Sequence, residues 1–156
     1  DPDLLTHRVV FAWSVREEGG LRGAARLAQY YGQNSRRVYS IDTFVSSDTP
    51  LESPHFAYAP LGKGPVLRSI ESSGMATPYE LDRNRGIAAA AGIEAQIGLT
   101  QGGTDGTTFS VYGAPNAGLS WPGRYSHSPA EIADLRDVVK LIDLIQAMAE
   151  APLDTP

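Results

Sequence analysis

Residues Val9-Val10-Phe11-Ala12-Trp13-Ser14-Val15 form a nearly continuous apolar run rich in β-branched and aromatic side chains. A run of this length and composition predicts a strand buried on both faces, the kind found in parallel sheets. Gly19-Gly20 breaks it, and Leu21, Ala24, Leu27, Ala28 and Tyr31 then recur at helical spacing, with Gly32 where a C-terminal cap belongs. Arg37-Val38-Tyr39-Ser40-Ile41-Asp42 reads as a second strand. Strand, helix and strand over this length make a βαβ unit, so an α/β layered domain is expected.

The chain has 156 residues, enough for one domain with a sizeable core. With 42% apolar and 20% charged residues it reads as globular. Its net charge is −5, and no basic run or arginine-rich face speaks for a nucleic-acid partner. The absence of cysteine excludes disulfides and thiolate ligands, so any metal must sit on His, Asp or Glu, and it fits a cytoplasmic protein. No apolar stretch is long enough to span a bilayer. The Asp1-Pro2-Asp3 opening, a few residues ahead of a core strand, reads as a chain that begins mid-fold.

Residues 43–76 read as loop-rich, with Pro50, Pro54, Pro60 and Pro65 among them. Thr77-Pro78-Tyr79-Glu80 then carries the signature of a capped helix start, with Thr77 as N-cap and Glu80 completing a capping box. That helix runs to about Ala91. A strand is expected over 94–99, a short helix over 105–112 and a short strand over 114–119. Asp134 with Asp137 caps the last helix, whose apolar face is read as Leu135, Val138, Ile142, Ile145 and Ala149, widened by Val139, Leu141 and Leu144. The domain is taken as residues 1–151, with 152–156 a frayed tail.

Four segments put polar groups at the C-terminal ends of predicted strands, the edge where ligands bind in open α/β sheets. The adjacent carboxylates Glu17 and Glu18 are either a metal ligand beside a general base or two solvated charges. Asp42 can ligate a metal or cap a turn, and Asp48 reads as a turn residue before Thr49-Pro50. In Gly102-Gly103-Thr104-Asp105-Gly106, backbone donors before a helix start can bind an anion, or the segment is a tight turn with an N-cap. His127 stands before Ser128-Pro129-Ala130-Glu131, which reads as a helix start with Glu131 closing a capping box. It is either a ligand held by a rigid element or a histidine bonded to backbone. His7 and His55 read as surface or loop residues. Together, Glu17, Glu18, Asp42 and His127 converge on one sheet edge with the carboxylate and imidazole composition of a hydrolytic metal site.

Five blocks in order carry a resemblance over nearly the whole chain: Val15-Arg16-Glu17-Glu18-Gly19-Gly20-Leu21-Arg22-Gly23-Ala24; Tyr39-Ser40-Ile41-Asp42 with Asp48-Thr49-Pro50; Leu61-Gly62-Lys63-Gly64-Pro65-Val66; Gly102-Gly103-Thr104-Asp105; and Arg124-Tyr125-Ser126-His127-Ser128-Pro129 with Asp134-Leu135-Arg136-Asp137. They resemble the co-catalytic metallo-aminopeptidases called glutamyl or tetrahedral aminopeptidases, some of whose members were labelled endoglucanases. The resemblance implies a three-layer αβα sandwich with a mixed, mostly parallel sheet, of the zinc-exopeptidase kind and incomplete at its N-terminal side. It implies two divalent ions, zinc or cobalt, and a peptide substrate cut at its N-terminal residue. By position, Glu17 corresponds to the general base, Glu18 and His127 to ligands of one ion, and Asp42 to a ligand of the other. Arg124, Gly103 and Thr104 fall where substrate is bound. The family also uses an early His-x-Asp segment and a bridging Asp upstream of the Glu pair, and neither has a counterpart here, where only Asp1 and Asp3 precede Glu17 as aspartates. Activity is therefore expected only together with a preceding segment or a neighbouring subunit, in a homo-oligomer. The other reading is a non-catalytic relative that keeps the fold and binds metal or peptide weakly.

Overall fold

A computed structural model describes residues 2–53, 56–72 and 74–153; His55 lies outside them. The centre is a mixed sheet. Strand β1 is Val38–Val45, β2 Val66–Glu71, β3 Gly74–Met75, β4 Gln96–Leu99, β5 Asn116–Arg124 and β6 Ile132–Ala133. The order is β1-β5-β2-β3, with β4 on β2 and β6 on β5. The long ladders are parallel: β1 runs with β5 from Val38↔Asn116 to Val45↔Gly123, and β2 runs with β4. The contacts of β2 with β5 and β3, and of β5 with β6, are short and antiparallel.

Four helices flank this sheet: α1 Arg22–Tyr31, α2 Pro78–Ala90, α3 Thr107–Ser110 and α4 Leu135–Glu150. Side chains alternate along a strand, so the two faces have separate characters. Leu67 and Leu119 turn to one face and join Ala88 of α2 with Leu141, Leu144 and Met148 of α4 in the main apolar core. The opposite face carries Ser40, Asp42, Arg68 and Ser120 beside Phe44 and Val66, with α1 and α3 packed together over it. The architecture is the expected three-layer α/β sandwich. Among the described residues no helix is long and apolar enough to cross a membrane.

The helix signals held at α2, where Thr77 accepts the Glu80 amide at 3.2 Å and Gly92 ends the turn at φ +71°. Glu80 does not complete a capping box. It is buried and bonded to Arg37 Nε at 3.0 Å, which fastens α2 to the entry of β1. Gly32 is not a left-handed cap: its φ is −55°, and a Cβ there would come within 2.4 Å of the Tyr112 ring. The tail is held at its first residues. Arg83 donates to the Pro152 carbonyl at 2.8 Å and Arg37 to that of Leu153.

Four expectations are corrected. The run Val9–Val15 forms no strand and is largely exposed, Trp13 by 88% and Val15 by 67%. Apolar composition reports a tendency to be buried; a strand also needs a partner backbone, which composition does not supply. The loop-rich reading of 43–76 hid β2, because its buried polar residues Arg68 and Glu71 disguise a central strand. Strand β5 extends past the predicted Leu119 through Pro122, which sits between the β2 contact at Ser120 and the β6 contact at Gly123, so its lacking N–H leaves no ladder gap there.

The fourth is the face of α4. Leu135, Val139 and Ile142 are exposed, and the buried stripe is Asp137, Leu141, Leu144 and Met148. A charge in the middle of that stripe turned the sequence reading toward the neighbouring face. Asp134 is the N-cap, accepting the Arg136 amide at 2.9 Å. Asp137 is instead sunk into the core, where its carboxylate accepts the amides of Gly62 at 2.6 Å and Gly64 at 2.7 Å. It thereby ties α4 to the turn before β2. Asp137→Asn keeps the shape but sets an NH2 group against one of these donors. We expect a loss of about 3 kcal/mol, from weakening two charge-assisted bonds at a buried site, read as a lowered urea midpoint with an unchanged slope.

Candidate active site

The Glu17-Glu18 turn is built by its glycines. The Glu17 carbonyl accepts the amides of Gly20 and Leu21 at 3.1 and 3.0 Å, and Gly20 takes φ +97° to allow it. Gly23 then donates to the Val15 carbonyl at 2.9 Å, in a contact so close that a Cβ would lie 2.4 Å from the Val15 nitrogen. The start of α1 is thus stacked on the end of the apolar run, and Glu17 is set half-buried at the mouth of a cleft with Asp42 and Asp105.

Asp42 arrives on β1, its Oδ1 accepting the Thr43 amide at 2.7 Å. The Arg68 guanidinium lies 4.0 Å from its Oδ2. The segment 102–106, read either as an anion-binding turn or as a turn with an N-cap, leads into α3 after Gly106 with no side-chain cap. Asp105 Oδ2 accepts the Ser14 hydroxyl, while its Oδ1 is buried without a partner. Glu18 and His127 meet at the exposed rim, with Nε2 and Oε1 2.8 Å apart. No helix follows His127: the chain turns there with φ +61°, and Glu131 accepts the His127 amide at 2.8 Å. The helix start is displaced to Leu135 because Tyr125 and His127 both take left-handed conformations and β6 intervenes.

Crowding shows in the proton affinities of Glu17 and Asp42. Glu17 is raised above its ordinary value, first by burial and then by the charges of Asp42, Glu18 and Asp105, against a smaller opposing effect of His127. Asp42 is raised by burial, which outweighs the Thr43 amide and Arg68. Asp48, read as a turn residue, is a staple. Its Oδ2 holds Arg124 at 2.6 Å and the Leu61 amide at 3.2 Å, and these outweigh burial to lower its pKa. Arg124 is therefore engaged with Asp48. Thr104 is fully buried, donating to Glu71 Oε1 at 2.9 Å, and Gly103 lies half-buried beside it. His7 lines the far end of the cleft. Sequence reasoning missed Asp105, Arg68 and Glu71 as parts of one arrangement; the Gly-Gly-Thr-Asp block at a strand end was the available signal for Asp105.

The profile of the M42 glutamyl aminopeptidases matches residues 2–144. The chain belongs to that family. It is 32% identical over 157 residues to the lysyl aminopeptidase of Pyrococcus furiosus, a match covering 90% of this chain and 40% of that protein. Among solved structures, PhTET1-12s, a dodecamer, superposes with a TM-score of 0.83 at 39% identity, over 93% of this chain and 42% of the other. The TET1 peptidase of Pyrococcus horikoshii, which assembles into a tetrahedron or an octahedral shell, gives 0.75 at 37% identity, over 88% and 39%. The chain thus spans about two-fifths of the length of the relatives it matches.

As an M42 member the chain can be asked whether its donors suit a metal. Hard carboxylates and one imidazole are the right chemistry. The crowding of Glu17, Asp42 and Asp105 and the unpartnered Asp105 Oδ1 both favour a cation nearby. Among the described residues, however, no three His, Asp or Glu side chains converge closely enough to hold one ion.

A raised acid pKa means that the folded state binds the proton more tightly than the unfolded chain. Stability then falls as pH climbs from the ordinary aspartate value through the raised one. Asp42→Asn removes that penalty and keeps an acceptor for the Thr43 amide. We expect the variant to be more stable than the parent at neutral pH, with the difference vanishing on acidification below pH 3.8, measured by urea denaturation across pH.

Proposed function

We propose that this chain supplies part of the active site of a metal-dependent aminopeptidase, which removes N-terminal residues from peptides and works as a homo-oligomer. The observation that carries this reading is the grouping of Glu17, Glu18, Asp42, Asp105 and His127 at one sheet edge of an M42 family member. Glu18 and His127, already in contact, would share one divalent ion, zinc or cobalt, and Asp42 would serve a second. Bound ions of this kind supply Lewis acidity, lowering the pKa of a water and polarising the peptide carbonyl.

Glu17 is the group suited to move the proton. Burial, then the charges of Asp42, Glu18 and Asp105, raise its pKa above the ordinary glutamate value, the direction that makes a carboxylate a better proton acceptor. It accepts a proton from the attacking water and delivers it to the leaving amine. The assemblies of PhTET1-12s and TET1 support the homo-oligomer. The wide spacing of the donors favours a second reading, in which the chain alone binds metal or peptide weakly and turns nothing over.

Metal content and hydrolysis of aminoacyl-anilides with added zinc or cobalt separate the two. In the active protein, Glu17→Gln should cut kcat by about 100- to 10,000-fold with metal content unchanged, and should abolish the acid limb of the pH profile. His127→Ala should lower metal occupancy. Turnover that survives Glu17→Gln removes Glu17 as the base, and metal binding without turnover at any metal concentration favours the weak binder.

A further inference from the structure

The Glu17-Glu18 turn is shaped by bonds within itself. Arg16 and Leu21 stand on either side of it at φ +59° and +56°, conformations that residues with a side chain hold only where their surroundings impose them. The backbone bonds that impose them are local: Gly20 and Leu21 donate to the Glu17 carbonyl, Arg22 to that of Arg16 at 3.3 Å and Gly23 to that of Val15. They give the turn its form, but they do not place it against β1, the strand that carries Asp42. Among the described residues, two polar side-chain contacts tie the segment 14–23 to other parts of the chain. One is the Glu18–His127 pair, both partners 74% exposed and so open to screening by water. The other is the half-buried bond from the Ser14 hydroxyl to Asp105 Oδ2, across 91 residues of sequence. From Phe11 to Glu18, Ser14 and Glu17 are the residues that are not exposed.

Asp105 is the fixed end of that bond. Its carbonyl accepts the Thr108 amide at 3.2 Å and the Thr108 hydroxyl at 2.8 Å, which pins its backbone. On one side Thr104 is fully buried and donates to Glu71. On the other, Gly106 lies so tightly on the sheet that a Cβ there would come within 2.0 Å of Ser40 Oγ and Asn116 Oδ1. Ser40 precedes Asp42 by two residues on β1 and, by the alternation of a strand, shares its face. The Asp105 loop is thus seated on the strand that carries Asp42. α1, which continues the turn, packs against α3, which continues the loop. The Asp105 side chain does not cap α3, and its Oδ1 is buried without a partner, so Ser14 is its one hydrogen-bond partner among the described residues. A hydroxyl donating to a carboxylate makes a charge-assisted bond, roughly twice as strong as one between neutral groups. Asp105 therefore grips Ser14 more firmly than a neutral acceptor would.

We infer that Asp105 is a positioning residue for the proposed reaction: by holding Ser14 it sets the Glu17-Glu18 turn against β1, and so fixes where the Glu17 carboxylate stands relative to Asp42. The chain of contacts is short. Gly106 rests on Ser40 of the strand that carries Asp42, Asp105 precedes Gly106, and Ser14 lies three residues before Glu17. Asp105 acts through Ser14 and moves no proton itself. A misplacement of about 1 Å in a reacting group can cost on the order of a hundredfold in rate, so a tie that acts on position alone is felt in turnover. The inference rests on the proposed role of Glu17 in moving the proton, but the tie itself is readable without turnover.

Hydrogen exchange reads the tie directly. Ser14→Ala removes the donor from a segment outside the main apolar core, so the fold is kept, as unchanged exchange at Leu144 of α4 checks. Exchange at Leu21 and Gly23, whose amides close the turn, should rise by about tenfold. Ser14→Thr keeps the hydroxyl and should leave those amides at the parent rate. In an Asp105→Ala background, Ser14→Ala should add nothing further. In the active protein, Ser14→Ala should lower kcat by about ten- to a hundredfold with KM unchanged, and Ser14→Thr should restore it. Parent-like exchange at Leu21 and Gly23 in Ser14→Ala, independent effects of Ser14→Ala and Asp105→Ala, or an equal loss of kcat in Ser14→Ala and Ser14→Thr each overturns the assignment. So does faster exchange with unchanged kcat where Glu17→Gln abolishes turnover. Turnover that survives Glu17→Gln removes the proposed role of Glu17 instead, and exchange alone then decides whether Asp105 holds the turn.

Discussion

One buried guanidinium ties the working face of the sheet together. Arg68 is 3% exposed on β2. It donates from Nε to Ser120 on β5 at 2.8 Å, from Nη2 to the Thr43 carbonyl on β1 at 2.6 Å, and from Nη1 to Glu71 at 3.3 Å. Glu71 in turn accepts the Thr104 hydroxyl of the loop that carries Asp105. Its stem lies across Gly118, where a Cβ would stand 2.5 Å from Cδ. Three strands and a loop therefore take their relative positions from one side chain. A buried ion network of this kind contributes little net stability compared with an apolar filling, but removing one member strands the rest without water or partner. What it fixes here is geometry: Asp42 and Asp105 stand on segments that Arg68 and Glu71 hold.

The two faces of the sheet divide the labour. One face buries Leu67 and Leu119 under α2 and α4, and its deep carboxylates are both engaged, Asp137 by the amides of Gly62 and Gly64 and Glu80 by Arg37. The other face trades apolar burial for Ser40, Asp42, Arg68 and Ser120, a costly arrangement unless the polar groups satisfy one another. Ser40 bonds Asn116 at 2.9 Å, and Ser120 accepts from Arg68. The acids at the strand ends are the members that this internal pairing leaves over.

How much of this the sequence disclosed depends on whether the information was local. The Thr77-Pro78 helix start, the strand at Val38 and the Glu17-Glu18 turn are set by neighbours within a few residues, and all are found where the residues predicted them. Asp137 was read as a cap beside Asp134, and Arg68 and Glu71 lay in a stretch read as loop, because the partners that bury each one include groups far away in the chain or on another strand. His127 meets Glu18 at the rim, but a left-handed turn rather than a helix start presents it. The run Val9–Val15 was read as a buried strand and is neither a strand nor buried, because composition supplies no partner backbone.

Site and cleft are one problem rather than two. Asp42 lies on β1, and Glu17 follows the run that walls the cleft, so both acids border the same space. Their raised proton affinities come first from burial. The cleft between them stays open to water, so each charge is penalised by burial on the protein side and partly screened from the other on the solvent side.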